Sequence, residues 1–331
     1  MILYDTSQNF SLSDYGIEIP VYDTRASKTF EALASHTKLT RRMGTLHIDA
    51  IDEPLLREDL LRVHSPLYIE RLFSEDLERE IIKTYDLVDN SGRYNRYNPT
   101  KAIKELPSLF EVVQQKTAGT IQCCRIALDH GFCFHFSGGF HHARFDTGSG
   151  FCLLNDIVVA ARKLLSENQV KSVWVIDVDA HKGDGTAALT QNDKTITTLS
   201  IHMACGWPLD GTPYDDKGRL NPPFLPSNID IPIARGEDAL YVERLRQGLE
   251  TLDITARSDL AIVVCGADPY EKDELPSTAD LRLTLAQLLQ RDKLVYTFLK
   301  DRNIPMAFLM AGGYGKHSWR VYTQFLKWAL T

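Results

Sequence analysis

From about residue 110 onward, short apolar runs alternate with amphipathic segments. The runs fall at 132–136, 173–176, 196–201, 260–265 and 306–310. Continuous apolar stretches of this length, bounded by turn residues, read as strands buried on both faces. Between them, Leu154, Ile157, Val158, Ala161 and Leu165 repeat at helical spacing, as do Val242, Leu245, Leu249 and Leu252. A third helix is expected after Ser277-Thr278, a good cap, running through Leu281, Leu285 and Leu288. The first 110 residues are mixed and polar, with helical signals at 25–34 and 53–72. The stretch 85–98, rich in Asn, Asp, Ser and Tyr, reads as a surface loop. No internal repeat or low-complexity segment breaks the chain. Strands alternating with helices predict an α/β protein, a single domain over 1–331 with a central parallel sheet and helices on both faces. In such sheets functional groups gather at the carboxyl ends of the strands.

Composition narrows the partners. The 331 residues are 44% hydrophobic and 24% charged, with a net charge of −7. No basic block exceeds short pairs such as Arg41-Arg42, so direct nucleic-acid binding is not expected. Six cysteines at 123, 124, 133, 152, 205 and 265 form no Cys-x-x-Cys pair, which argues against a disulfide framework or a zinc knuckle. The start, Met1-Ile2-Leu3-Tyr4-Asp5, lacks a secretory pattern, and no apolar run reaches membrane-span length. A cytoplasmic protein without a membrane partner is the expectation; the oligomeric state is not legible.

Four segments carry candidate chemistry. In Val173-Trp174-Val175-Ile176-Asp177-Val178-Asp179-Ala180-His181 a buried-strand pattern acquires two carboxylates and an imidazole. Residues two apart on an extended chain share a face, so Asp177, Asp179 and His181 can converge. Buried carboxylates need positive charge nearby, and a divalent metal supplies it. The competing reading is a surface turn with Lys182-Gly183-Asp184-Gly185 solvated. The run 260–265 ends in Gly266-Ala267-Asp268-Pro269, leaving Asp268 at a strand end. Asp179, His181 and Asp268 would make three ligands with an open fourth position, as a catalytic zinc requires; alone, an Asp-Pro such as Asp268-Pro269 is more commonly a helix cap or turn. In Ser137-Gly138-Gly139-Phe140-His141-His142-Ala143, two imidazoles follow a tight turn, and adjacent residues suit separate proton-handling roles better than one metal. Asp177 and Asp184 are the candidate partners. In Met310-Ala311-Gly312-Gly313-Tyr314-Gly315, a tyrosine sits among glycines, otherwise a plain helix-entry turn.

Together with Gly150-Phe151-Cys152, these segments in this order resemble the zinc-dependent histone deacetylase family of the arginase–deacetylase fold. The resemblance runs from about Tyr22-Asp23-Thr24-Arg25-Ala26-Ser27 to the C-terminal helix, more weakly over 73–110. It implies that Asp179, His181 and Asp268 bind Zn(2+). His142 would be the general base that later protonates the leaving amine, and His141 the electrostatic support. Asp177 and Asp184 would be their carboxylate partners, and Tyr314 the phenol that stabilises the oxyanion. Phe151 and Trp207 would wall the tunnel for the lysine stem, Gly150 would accept the substrate amide hydrogen, and Leu275 would lie near the rim. A K(+) ion near Asp177, Asp179, His181 and Ser200 and an exit channel beside Arg25 also follow. The implied partner is acylated lysine in a protein or peptide.

His181-Lys182 replaces the two histidines of many relatives, and with the Gly-Gly-Phe-His-His form this looks more like class IV deacetylases and bacterial histone-deacetylase-like proteins. Long acyl groups then enter as substrates, and Trp207 in place of phenylalanine changes the tunnel width. His135 and His202 read as packed and hydrogen-bonded; His36, His47, His64, His130 and His317 as structural or surface. An arginase-like two-manganese enzyme needs an Asp-x-Asp pair where Pro269-Tyr270-Glu271 follow Asp268. An acetylpolyamine amidohydrolase remains open, with Glu271, Asp273 and Glu274 as an acidic rim. A non-catalytic acyl-lysine binding module would require a broken site.

Overall fold

The computed structural model describes residues 1–6, 11–21 and 24–331; Tyr22 and Asp23, at the start of the family resemblance, lie outside them. Among the described residues eight strands form one sheet: β1 (Ile2–Leu3), β2 (His47–Ile48), β3 (Phe132–His135), β4 (Val173–Asp177), β5 (Ile196–Met203), β6 (Ile229–Ile233), β7 (Leu260–Val264) and β8 (Met306–Leu309). Their order is β2-β1-β3-β8-β7-β4-β5-β6, and every pairing is parallel. The five apolar runs are therefore strands. Alternation then divides their side chains between two cores. Val173, Val175, Leu260, Ile262, Ala307 and Leu309 face one, packed with helices Leu109–His130 and Asp156–Ser166. Trp174, Ile176, Ala261, Val263, Met306 and Phe308 face the other, under helices Tyr241–Thr255, Leu285–Asp301 and Trp319–Leu330. Covered faces explain the continuous rather than alternating hydrophobicity.

Three local expectations change. The third helix starts not at Ser277-Thr278 but at Leu285, where Thr284 and Gln287 form a capping box. Ser277 and Thr278 belong to the short 3-10 turn Pro276–Thr278, because Pro276 favours a first helical position and Asp273 holds the turn from outside. The helical signal over 53–72 resolves into Arg57–Leu61 and Pro66–Leu72, separated where Ser65 Oγ accepts from Tyr68 N at 3.1 Å ahead of Pro66. The edge strands β1, β2 and β6 add to the expected sheet. No helix among the described residues is long and apolar enough to cross a membrane, and all six cysteines are free.

Candidate active site

The four central strands β3, β8, β7 and β4 are adjacent and parallel, so the loops after them emerge at one end of the sheet. Each carries one of the chemistry-bearing segments. Asp177 is the last residue of β4, and the chain continues buried through Asp179, His181, Lys182 and Asp184, the last fully inaccessible. A solvated turn is thereby excluded. Asp268 arrives from β7. Asp179, His181 and Asp268 each present one ligand atom, all within 4.8 Å of one another. His181 Nδ1 lies 3.3 Å from Asp179 Oδ1 and 3.2 Å from Asp268 Oδ2. Two ligands bound at about 2.0–2.2 Å in tetrahedral geometry are roughly 3.3–3.6 Å apart, so these separations fit a zinc ion.

Backbone N–H groups fix the carboxylates: Gly312 N donates to Asp179 Oδ2 at 3.0 Å and Ala180 N to Asp268 Oδ1 at 3.0 Å. A Cβ on Gly266 or Gly312 would collide with both carboxylates. The electrostatics ask for a cation as well. Burial and the Asp179 charge push the Asp268 carboxyl up to about 6. Burial opposes charge on His181, yet Asp179 and Asp268 outweigh it and hold that imidazole up to about 10. Where a proton is gripped so firmly by two carboxylates, a divalent ion can replace it.

Two imidazoles lie beside this cluster, their ring centroids 3.9 Å apart. Gly138 and Gly139 have φ of +81° and +78°, turning the chain sharply after β3. Asp156 then clamps the turn, accepting from Gly139 N (2.9 Å), Phe140 N (2.6 Å) and Thr120 Oγ1 (2.5 Å). His141 Nδ1 meets Asp177 Oδ2 at 2.6 Å, and its Nε2 lies 3.7 Å from Asp179 Oδ1. His142 Nδ1 meets Asp184 Oδ1 at 2.7 Å. The two expected partnerships are thus formed. They differ in charge environment. Burial disfavours the His141 imidazolium, but Asp177 and Asp179 raise it to about 9. Burial and then the neighbouring His141 charge lower His142 to about 3. Arg144 also holds Asp184, donating from Nε (2.9 Å) and Nη2 (2.6 Å) to its Oδ2.

Tyr314 follows β8. Burial, then Asp268 and Asp179, raise its phenol well above its ordinary value, so it remains a donor. Its loop is held from outside: Tyr314 N donates to Asp273 Oδ2 at 2.7 Å, and Tyr322 Oη donates to Gly312 O at 2.6 Å. Asp273 also accepts from Leu275 N and Thr278 Oγ1. The Asp273 carboxyl is therefore occupied within the fold, whereas Glu271 and Glu274 are exposed.

A cavity of about 100 Å³ is lined by His141, His142, Gly150, Phe151, Asp179, His181 and Tyr314, among others. Phe151 stacks on Tyr85 and meets Tyr314 edge-on, with centroids 5.9 and 6.4 Å apart. Trp207 lies outside the cavity lining but leans inward, its ring edge-on to His142 (4.5 Å) and His181 (5.5 Å). Gly150, φ +53°, is needed there, because a Cβ would strike the Trp207 and His142 rings. Leu275 is buried beside the 276–278 turn and is also outside the lining. Arg25 donates to the carbonyls of Ala311 (2.8 Å) and Gly313 (3.0 Å), and it lines both this cavity and a neighbouring one of about 330 Å³. His135 lines the larger cavity; it is packed as expected, but its Nδ1 has no hydrogen-bond partner among the described residues. Ser200 Oγ sits 3.1 Å from His202 Nδ1. The sequence reading missed Arg144 and Asp156, and it placed Asp273 on an acidic rim and Ser277 at a helix cap. Only Asp156 carried a signal, as an acidic residue following Asn155 at a helix start.

The sequence matches the Histone deacetylase domain family over residues 20–328. It is 27% identical over 280 residues to Histone deacetylase 2 of Arabidopsis thaliana, covering 84% of this chain and 67% of that protein. An uncharacterised protein of Picosynechococcus sp. is 33% identical over 216 residues, 64% of this chain and 67% of the relative. Acetoin utilization protein AcuC of Staphylococcus aureus is 32% identical over 195 residues, 56% of this chain and 47% of that protein.

Proposed function

Because this chain belongs to the histone deacetylase family, we propose that it is a zinc-dependent deacylase, removing an acetyl or longer acyl group from the side-chain amine of acyl-lysine in proteins or peptides. The observation that carries this reading is the three-ligand cluster of Asp179, His181 and Asp268 with two carboxylate-bound imidazoles beside it. A zinc ion held there supplies Lewis acidity toward a carbonyl oxygen and toward a water molecule.

The side chains divide the remaining work. His142 donates Nδ1–H to Asp184, which leaves the Nε2 lone pair to take a proton from the attacking water and return it to the departing amine. Its depressed basicity keeps it neutral and ready to accept. His141, bonded through Nδ1 to Asp177, supports the negative charge developing on the acyl oxygen. Two neighbouring groups of one chemical type pushed in opposite directions is the pattern of an acid–base pair. The Tyr314 phenol donates to the carbonyl oxygen as it becomes an oxyanion. Phe151 and Trp207 flank the lysine methylenes, and the Gly150 carbonyl accepts the substrate amide N–H. A potassium ion beside Asp177, Asp179, His181 and Ser200, and one catalytic unit over 1–331, belong to the same reading.

Of the three acidic residues that could form a rim for a cationic amine, Asp273 is turned into the fold and bonded to three donors. Its loss from the rim favours acyl-lysine over acetylpolyamine. The decisive test is turnover on lysine peptides bearing acetyl, propionyl, butyryl and myristoyl groups, with acetylated polyamines alongside. Hydrolysis of an acyl-lysine peptide is expected. Turnover of polyamines alone would replace the substrate class, and zinc binding without any turnover would make the chain a binding module.

A further inference from the structure

His181 uses both ring nitrogens. Nδ1 faces Asp179 and Asp268, whereas Nε2 lies 3.1 Å from Ser277 Oγ. A nitrogen that binds a metal offers its lone pair, so the neutral ring must carry its proton on Nε2. His181 is only 3% exposed, and a buried N–H without an acceptor costs roughly 1–3 kcal/mol. The geometry points to Ser277 as a positioning residue: its hydroxyl accepts the Nε2 hydrogen, fixes the metal-binding tautomer and orients the ring toward the ion.

The hydroxyl is itself held. Ser277 lies in the middle of the turn Pro276–Thr278. Asp273 Oδ1 ties both ends of that turn, accepting from Leu275 N at 2.9 Å and Thr278 Oγ1 at 3.2 Å, and Thr278 Oγ1 donates to Leu275 O at 2.8 Å. The acceptor is thus supplied by a braced platform. The Trp207 edge restrains the ring by packing but offers its Nε1 only as a donor, so it cannot select the tautomer.

This inference rests on the metal-centre reading, and both are tested by one measurement. Metal-free protein is titrated with Zn(2+) in competition with a chromogenic chelator, for wild type, Ser277→Ala and Ser277→Thr. Loss of an outer hydrogen bond to a ligating histidine weakens metal affinity by roughly 10–100-fold, which is the loss expected for Ser277→Ala. Ser277→Thr keeps the acceptor and is expected to bind close to wild type. Equal affinity of Ser277→Ala and wild type overturns the assignment. Equal weakening in both variants also overturns it, since that would mark disturbed packing. Failure of the wild-type protein to bind Zn(2+) overturns the metal centre itself, and is seen before any variant is compared.

Discussion

Removing the His142 imidazole deletes the proposed proton acceptor but none of the three candidate ligands. His142→Ala is therefore expected to abolish measurable turnover while zinc content, measured on the purified protein, stays at wild-type stoichiometry. General acid–base groups typically contribute about 10²–10⁴-fold, so a variant with full activity would strip His142 of its role. Tyr314→Phe deletes the single side-chain donor proposed to meet the developing oxyanion. One such donor is worth about 3–4 kcal/mol, so kcat on an acetyl-lysine peptide should fall about 10²–10³-fold. Retention of wild-type kcat would remove the phenol from the mechanism.

Two elements hold these side chains through carboxylates that lie outside the cavity lining. Asp156, at the start of helix Asp156–Ser166, fixes the turn carrying His141 and His142, and Asp273 ties the Tyr314 loop to the 276–278 turn. If Asp273 acts through Tyr314, Asp273→Ala should lower kcat, and the double variant with Tyr314→Phe should be little worse than Tyr314→Phe alone. Steady-state kinetics on all four proteins close that cycle; additive losses would separate the two residues. The same elements mark what could be read in the sequence. Buried parallel strands announce themselves as apolar runs, and the candidate ligands stand at their ends, so β3, β4, β5, β7, β8 and the cluster at 177–184 were legible. The bracing roles of Asp273 and Ser277 were not, because a lone polar residue in a turn has no periodic signature and the partners that matter, Tyr314 and His181, are distant in sequence. Helix Leu109–His130 escaped notice for another reason: its buried side includes Thr117, Gly119 and Thr120, which blur the apolar stripe. Two-residue strands such as β1 are too short for any period.

For the whole molecule, buried neutral histidines set an acid limit. His64 is fully buried; its Nδ1 donates to Arg144 O (2.8 Å) while Nε2 accepts from Asn155 N (3.1 Å). Protonation would set one N–H against another. Burial, first, lowers its pKa to about 4, and burial likewise lowers His135 to about 3. The folded pKa lies below the unfolded value of about 6.5, so the unfolded chain binds more protons between those limits. The stabilisation is complete above about pH 6.5 and is lost as the pH falls toward about 4, on the order of 3 kcal/mol for His64. Melting temperature measured from about pH 7 down to about pH 4.5 should fall, and His64→Gln should flatten the decline. An unchanged slope in that variant would assign the acid sensitivity elsewhere.

The three candidate ligands come from two stretches of chain, one following β4 and the other β7, with His181 and Asp268 87 positions apart. An ion gripping both acts as a rivet across the sheet end as well as a reagent. Because only the folded chain gathers the three groups, occupancy at a hundredfold excess over Kd adds about 2.7 kcal/mol to unfolding. Chelation should thus lower the calorimetric midpoint along with the rate, and restoring zinc should return both.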